Sequence, residues 1–181
     1  MTDTPTPTPN PASYWLPGEM VLAGEFPGWR AGSALPALAR MLAAGIRTFV
    51  DLTGESDALP PYDAALRQLA EERGIAVEYR RFAIPDMGVP SVELMAEVLG
   101  FIAGETAAGR KVYVHCLGGV GRTGTVVGCL LSRRGMDGET ALRTVGELFR
   151  SSELADLYLS SSPQTERQRE FVRRWRGDER P

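Results

Sequence analysis

An α/β fold with a central, largely parallel sheet flanked by helices is the architecture the sequence predicts. Three observations carry it. Short β-branched or aromatic runs alternate with segments of helical apolar spacing, Gly or Pro punctuates the boundaries between them, and 43% hydrophobic content over 181 residues is enough for one full core. Strands alternating with helices are satisfied when the helices cover the faces of a parallel sheet.

The elements follow in chain order. Residues 1–13 are rich in Thr and Pro and have little to bury, so they read as an extended, disordered tail, with a single domain over residues 14–177. Gly18 to Phe26 reads as a strand entering a Pro27-Gly28 turn. Leu35, Leu38, Met41 and Leu42 keep helical spacing until Gly45. Ile46 to Leu52 is a strand candidate of high β-propensity. Pro60-Pro61 then precedes a helix over residues 62–73, closed by Gly74. Ile75, Val77 and Tyr79 alternate as strand residues do, and the run ends at Ile84-Pro85-Asp86. Ser91 caps a helix whose buried stripe is Leu94, Met95, Val98, Leu99 and Ile102. Lys111 to His115 is a short strand. Helices follow from Thr123, around Ala141 to Phe149, and around Phe171 to Trp175.

Composition narrows the function. A net charge of -3 gives no footing for non-specific nucleic-acid binding. No apolar run reaches the ~20 residues of a membrane span, and the N-terminus lacks the basic-then-apolar order of a signal peptide. Two cysteines make no disulfide framework and one histidine anchors no His-rich metal site. The expectation is a soluble, cytoplasmic domain, monomeric, without metal or other cofactor.

The chemistry lies in His115-Cys116-Leu117-Gly118-Gly119-Val120-Gly121-Arg122-Thr123-Gly124. A strand ends at the cysteine, a glycine-rich loop follows, and Arg-Thr opens a helix. Such a loop can turn its N–H groups inward, and the helix N-terminus favours an anion. Arg122 adds a planar, permanently charged fork for two phosphoryl oxygens. Thiols in such positive fields fall from about 8.5 to roughly 3.5–7.5 in pKa. Cys116 is thereby a thiolate nucleophile aimed at phosphorus.

This run resembles the signature loop of the protein tyrosine phosphatase superfamily, His-Cys, five residues, Arg, then Ser or Thr. The resemblance implies a phosphatase-like fold over most of the chain, with Cys116 as nucleophile and Arg122 as transition-state clamp. It implies that the amides of Leu117, Gly118, Gly119, Val120, Gly121 and Arg122 bind the phosphoryl oxygens. Thr123 would donate to the Cys116 sulfur, and His115 would orient the loop through hydrogen bonds.

Expelling an aryl oxide needs a proton donor over the leaving oxygen, and the loop contains none. Asp86, in Ile84-Pro85-Asp86-Met87-Gly88-Val89-Pro90, resembles the family's acid loop and is the expected general acid, returning as base for the second step. Asp51, Glu55 and Asp57 are rivals on another strand-end loop, with Asp51 read as structural. Gln164 and Gln168 resemble the family's water-positioning pair, although the same segment also reads as a capped helix start. Cys129, in an all-apolar helical stretch, reads as a buried structural residue; a redox partnership with Cys116 would have to span about 10 Å of helix axis.

The resemblance is closest to compact dual-specificity and bacterial enzymes. It implies hydrolysis of phosphotyrosine in phosphoprotein substrates, and of phosphoserine or phosphothreonine as well if specificity is dual, through a phosphocysteine intermediate. The alternatives are a phosphoinositide or inositol phosphate phosphatase, whose loops often carry Lys, and a non-catalytic phosphopeptide-binding module, which usually lacks the nucleophile, clamp or acid.

Overall fold

The computed structural model of the chain describes residues 7–30, 32–158 and 161–176. Its core is a five-stranded sheet in the order β1-β2-β5-β3-β4: β1 Ser13–Trp15, β2 Val21–Gly24, β3 Ile46–Asp51, β4 Glu78–Arg81 and β5 Lys111–His115. Pairs β2–β5, β5–β3 and β3–β4 are parallel, as the strand–helix alternation predicts, and only β1 runs antiparallel, against β2.

Period-two side-chain alternation assigns the two faces. On β5, Val112 and Val114 join Val50 and Leu52 in one core cluster, while Tyr113 joins Leu22 and Phe49 in the other. The second cluster is covered by α1 (Leu35–Ala43) and α2 (Asp63–Glu71), which contribute Leu38, Met41, Leu42 and Leu66. The first is covered by α3 (Val92–Ala107), α4 (Gly121–Arg133) and α5 (Gly138–Arg150). Ser91 does cap α3, accepting from the Leu94 amide at 3.1 Å. The short α6 (Leu154–Leu157) and then α7 (Glu166–Arg174) complete the chain.

Helix α4 is the central pillar. Every residue from Gly121 to Leu131 is buried, so the helix has no solvated face over that span. Burial of each of Val126, Val127, Leu130 and Leu131 is worth roughly 1.5–3 kcal/mol relative to exposure. Among the described residues, no helix is long and apolar enough to cross a membrane.

Several boundaries differ from those expected. Residues 1–6 of the expected tail lie outside the described residues, as do residue 177 and those beyond it. Asn10, Ala12 and Ser13, placed in that tail, are instead buried. The Ala12 carbonyl accepts from the Glu25 amide and the Ser13 hydroxyl donates to the Asn10 carbonyl, so pairing with β2 gives this Pro-rich stretch the partners it lacks alone. The first expected strand, Gly18 to Phe26, shortens to β2, and an additional strand, β1, precedes it: the Glu19 amide donates to Leu16 and the Leu16 amide to Val21, closing a turn that makes β1–β2 a hairpin. Strand β4 begins at Glu78, later than the apolar alternation of Ile75 and Val77 suggested, because ladder pairing with β3 starts at Thr48↔Glu78.

Candidate active site

Strand β5 delivers His115 and Cys116 to the carboxyl edge of the sheet, and the loop from Cys116 to Val120 leads into α4. Parallel α/β sheets place ligand sites at this edge. Gly119 turns the loop at φ +73°, and a Cβ there would lie 2.5 Å from the Gly24 carbonyl carbon at the end of β2. Both the left-handed backbone and this close approach require glycine. The loop carbonyls are tied away from the cavity: Leu117 accepts from the Phe26 amide at 2.8 Å, Val120 from the Ser162 hydroxyl at 2.8 Å, and Cys116 from His115 Nδ1 at 3.0 Å.

That last bond fixes the histidine. A carbonyl only accepts, so Nδ1 carries the proton and Nε2 accepts from the Tyr62 hydroxyl, 2.7 Å away. Burial depresses the His115 pKa and, chiefly, raises that of Tyr62, so the imidazole is neutral and the phenol keeps its proton. His115 thus braces the loop from below, with Tyr62 bracing His115 in turn.

Arg122 is 1% exposed. Its Nη1 and Nη2 donate to the two carboxylate oxygens of Asp57 at 2.9 and 2.7 Å, a bidentate fork, and Nη1 also donates to the Ile84 carbonyl at 3.1 Å. The hydrogen bonds from Arg122 are the largest influence holding the Asp57 carboxyl below the usual carboxylate value. Burial is the largest single influence and works against the charge of Arg122, but its bonds to Asp57 together with the negative charges of Cys116, Asp57 and Asp86 outweigh it. Arg122 Nε and the Thr123 hydroxyl are buried with no hydrogen-bond partner among the described residues. Two orphaned polar groups one residue apart, beside a cysteine, suit an anionic ligand.

Asp86 lies with its carboxylate 3.1 Å from Arg122 Nη2, its side chain 64% exposed. The Gly88 amide donates to the Pro85 carbonyl, closing a turn in which Met87 stands at φ +58°. Left-handed backbone costs a non-glycine residue about 1–2 kcal/mol, and such strain concentrates where a loop must aim a side chain. The segment is tied down by Gln168 Nε2, which donates to the Gly88 carbonyl at 3.0 Å. Gln168 Oε1 accepts from the amides of Gln164 and Thr165, so this fully buried amide caps α7 and anchors the loop around Asp86 at once. Gln164 lines the cavity directly.

The cavity above Cys116 measures about 460 Å³ and is walled by Trp29, Asp86, Met87, Arg122, Tyr158 and Gln164, with Gly118 and Gly121 in its floor. Asp51 is turned elsewhere: it accepts from Thr53, Tyr79 and Arg81, and its side chain is fully buried. Asp57 faces Arg122, and Glu55 is exposed on the turn beside it. Of the sequence-derived candidates, Cys116, Arg122, Asp86 and Gln164 line one pocket, with Thr123 buried at the start of α4 behind the loop. The sequence singled out neither Asp57 as the partner of Arg122 nor Tyr62 as that of His115.

Residues 21–172 match the family model described as Swiss Army Knife protein, DSP-PTPase phosphatase domain. An uncharacterized protein of Methanocaldococcus jannaschii is 37% identical over 89 residues, 49% of this chain and 53% of that one. The chain spans about half the length of the curated relatives it matches. Among solved structures, Tk-PTP in its active form superposes with a TM-score of 0.70 at 27% identity, covering 90% of this chain and 94% of that one. The kinase-associated phosphatase, solved with its catalytic-site cysteine replaced by serine, has the same fold at 19% identity, a TM-score of 0.71 and coverage of 94% and 93%.

Proposed function

Because the chain belongs to the DSP-PTPase family of phosphatase domains, we propose that it hydrolyses phosphotyrosine in protein substrates through a phosphocysteine intermediate. The observation that carries this reading is the convergence of Cys116, Arg122 and Asp86 on one 460 Å³ pocket.

In the first step the Cys116 thiolate attacks phosphorus in line with the leaving oxygen. The S–P bond forms as the P–O bond to the tyrosyl oxygen breaks. Loop amides from Leu117 to Arg122, with Arg122 Nε, hold the equatorial oxygens where charge is carried in the transition state. Asp57 fixes the plane of the guanidinium, so little reorganisation is left for the reaction itself. A phosphoryl dianion competes with Asp86 for Arg122; the freed carboxylate takes up a proton from solvent, turns toward the leaving oxygen and delivers that proton to it. In the second step Asp86 takes a proton from a water that Gln164 helps to place, the water oxygen forms its bond to phosphorus as the S–P bond breaks, and phosphate leaves with the Cys116 thiolate restored. The Thr123 hydroxyl, which has no hydrogen-bond partner among the described residues, would have to turn to donate to the departing sulfur.

The loop supports a protein substrate over an inositol polyphosphate, since Leu117, Gly118, Gly119, Val120 and Gly121 carry no charge to meet additional phosphates. Trp29, Met87 and Tyr158 give the pocket walls suited to an aromatic ring.

Asp86→Ala tests the assignment through the leaving group. A phenol near pKa 10 needs a proton in the transition state, and a positioned acid supplies about 10²–10⁴-fold. The variant is expected to lose that factor on phosphotyrosyl peptide and much less on a nitrophenyl ester, with the acid's limb missing from its pH–rate profile. Equal losses on both esters would move the acid role to another residue.

A further inference from the structure

We propose that the uncharged groove beside the catalytic pocket, separated from it by Trp29, seats an apolar side chain that flanks the phosphoresidue of a phosphopeptide substrate. This rests on the phosphatase reading and extends it to a specificity subsite.

The groove encloses about 350 Å³ between the turn after β2, the start of α1 and the start of α2, with Trp29, Leu35, Leu59, Pro60 and Ala65 in its walls. Among the described residues no charged side chain lines it. Trp29 lines this groove and the catalytic pocket alike, so the two spaces adjoin across one residue. A substrate whose phosphoryl group sits over Cys116 must leave the pocket past that rim.

The display of Trp29 is built into the backbone. Its amide donates to the Phe26 carbonyl at 3.1 Å, closing a four-residue turn with Pro27 second and Gly28 third at φ +75°, the type II pattern. A side chain at Gly28 would collide with the Ser33 carbonyl, so the turn is locked against the chain that continues toward α1. It holds an indole 45% exposed, with Leu35 49% exposed across the groove. The large hydrophobic residues left exposed on the described surface are Trp29, Leu35, Met87, Val92 and Leu157. Of these, Trp29, Met87 and Leu157 rim the catalytic pocket and Leu35 lines the groove. Scattered exposed apolar residues need no explanation, but a cluster at the mouth of a site marks a surface that is covered in use.

The chemistry favours a peptide over a lipid surface. Docking on an anionic membrane draws on clusters of about 4–8 Lys or Arg. Among the described residues lining these two cavities the cations are Arg122, committed to the cradle, and Arg30, whose Nε is held at 3.1 Å by Glu25. In an extended peptide successive side chains point to opposite sides, so one neighbour within two residues of the phosphoresidue can enter the groove while the backbone passes over Trp29.

The test is a panel of phosphotyrosyl peptides in which Leu or Gly is placed in turn at the two positions on either side of the phosphoresidue. It is run with the wild-type chain and with Leu35→Glu and Ala65→Glu, which put a carboxylate into the groove from two different helices. The wild type is expected to prefer Leu at one of these positions by about tenfold in kcat/KM, the scale of burying one such side chain. Both variants should reduce that preference to within about twofold while hydrolysing nitrophenyl phosphate at the wild-type rate, which also reports that they fold. Indifference of the wild type to all four positions, or retention of the preference in both variants, overturns the proposal. So does a preference for phosphoinositide vesicles that the two variants abolish, since an acyl chain is then the occupant. Failure of the wild type to hydrolyse even nitrophenyl phosphate would instead remove the phosphatase reading, and the subsite with it.

Discussion

Cys116→Ser is expected to abolish turnover, by a factor on the order of 10⁴ or more, while the chain still binds inorganic phosphate. The serine hydroxyl is un-ionised at neutral pH, so the attacking electron pair is lost. The cradle remains, because Gly119 packed against β2, the tethered carbonyls of Leu117 and Val120, and the Arg122–Asp57 fork do not depend on the sulfur. Single-turnover rates on phosphotyrosyl peptide, paired with calorimetric phosphate binding, separate the two effects. A serine variant retaining more than roughly one per cent of the wild-type rate would remove Cys116 from the nucleophile's role, since a hydroxyl cannot replace an activated thiolate so closely.

The second large effect is expected at Arg122 and divides into chemistry and stability. Arg122→Lys keeps a charge but cannot bond both Asp57 oxygens and still offer a planar donor edge to a phosphoryl group. A loss of about 10²–10³-fold in kcat is expected, the scale of removing one preorganised donor where charge develops. Arg122→Ala also strands the Asp57 carboxylate, whose side chain is only 2% exposed, and breaking a buried pair from one side costs about 3–5 kcal/mol. Denaturant titration should therefore show the Ala variant far less stable than Lys. The pH dependence of the pair has a definite sign. Asp57 is held below its ordinary value, so its contribution is complete above the unfolded carboxylate pKa of about 3.9 and is lost as pH falls through the lower folded value. Asp57→Asn should remove that part of the acid sensitivity. If it left both the acid limb of stability and kcat unchanged, the fork would have no part in either.

The sequence was most readable where local pattern and chemistry coincide. The run from Lys111 to Thr123 combines a β-branched strand, a glycine loop and a helix start, and the cradle stands where that pattern puts it. The loop around Asp86 was readable for the same reason, because Pro85, Gly88 and Pro90 exclude regular structure there. What holds these pieces in register was not readable. Asp57 sits 65 residues before Arg122 on a three-residue turn, with no spacing or composition to connect them. Tyr62 meets His115 across 53 residues, from a position that reads as one more apolar residue at a helix start. Gln168 matched a motif, yet its bond to Gly88 joins segments 80 residues apart and depends on how α7 docks. Strand β1 escaped because three residues carry too little periodicity, and its pairing partner was needed to order Asn10 to Ser13.

Helix α4 has a practical consequence for anyone counting active molecules. The chain holds two thiols, both buried, and they differ in what they face. Cys129 is fully buried in the pillar of the fold, where the loss of hydration raises its pKa far above neutrality. Cys116 opens onto the substrate cavity. A reagent small enough to enter that cavity is therefore expected to reach one sulfur per folded chain. The moles of label incorporated under native conditions report the fraction of a preparation with an intact cradle, and a second equivalent enters only as the fold is lost. One reagent, read before and after denaturation, serves as both an active-site titrant and an internal total-protein standard.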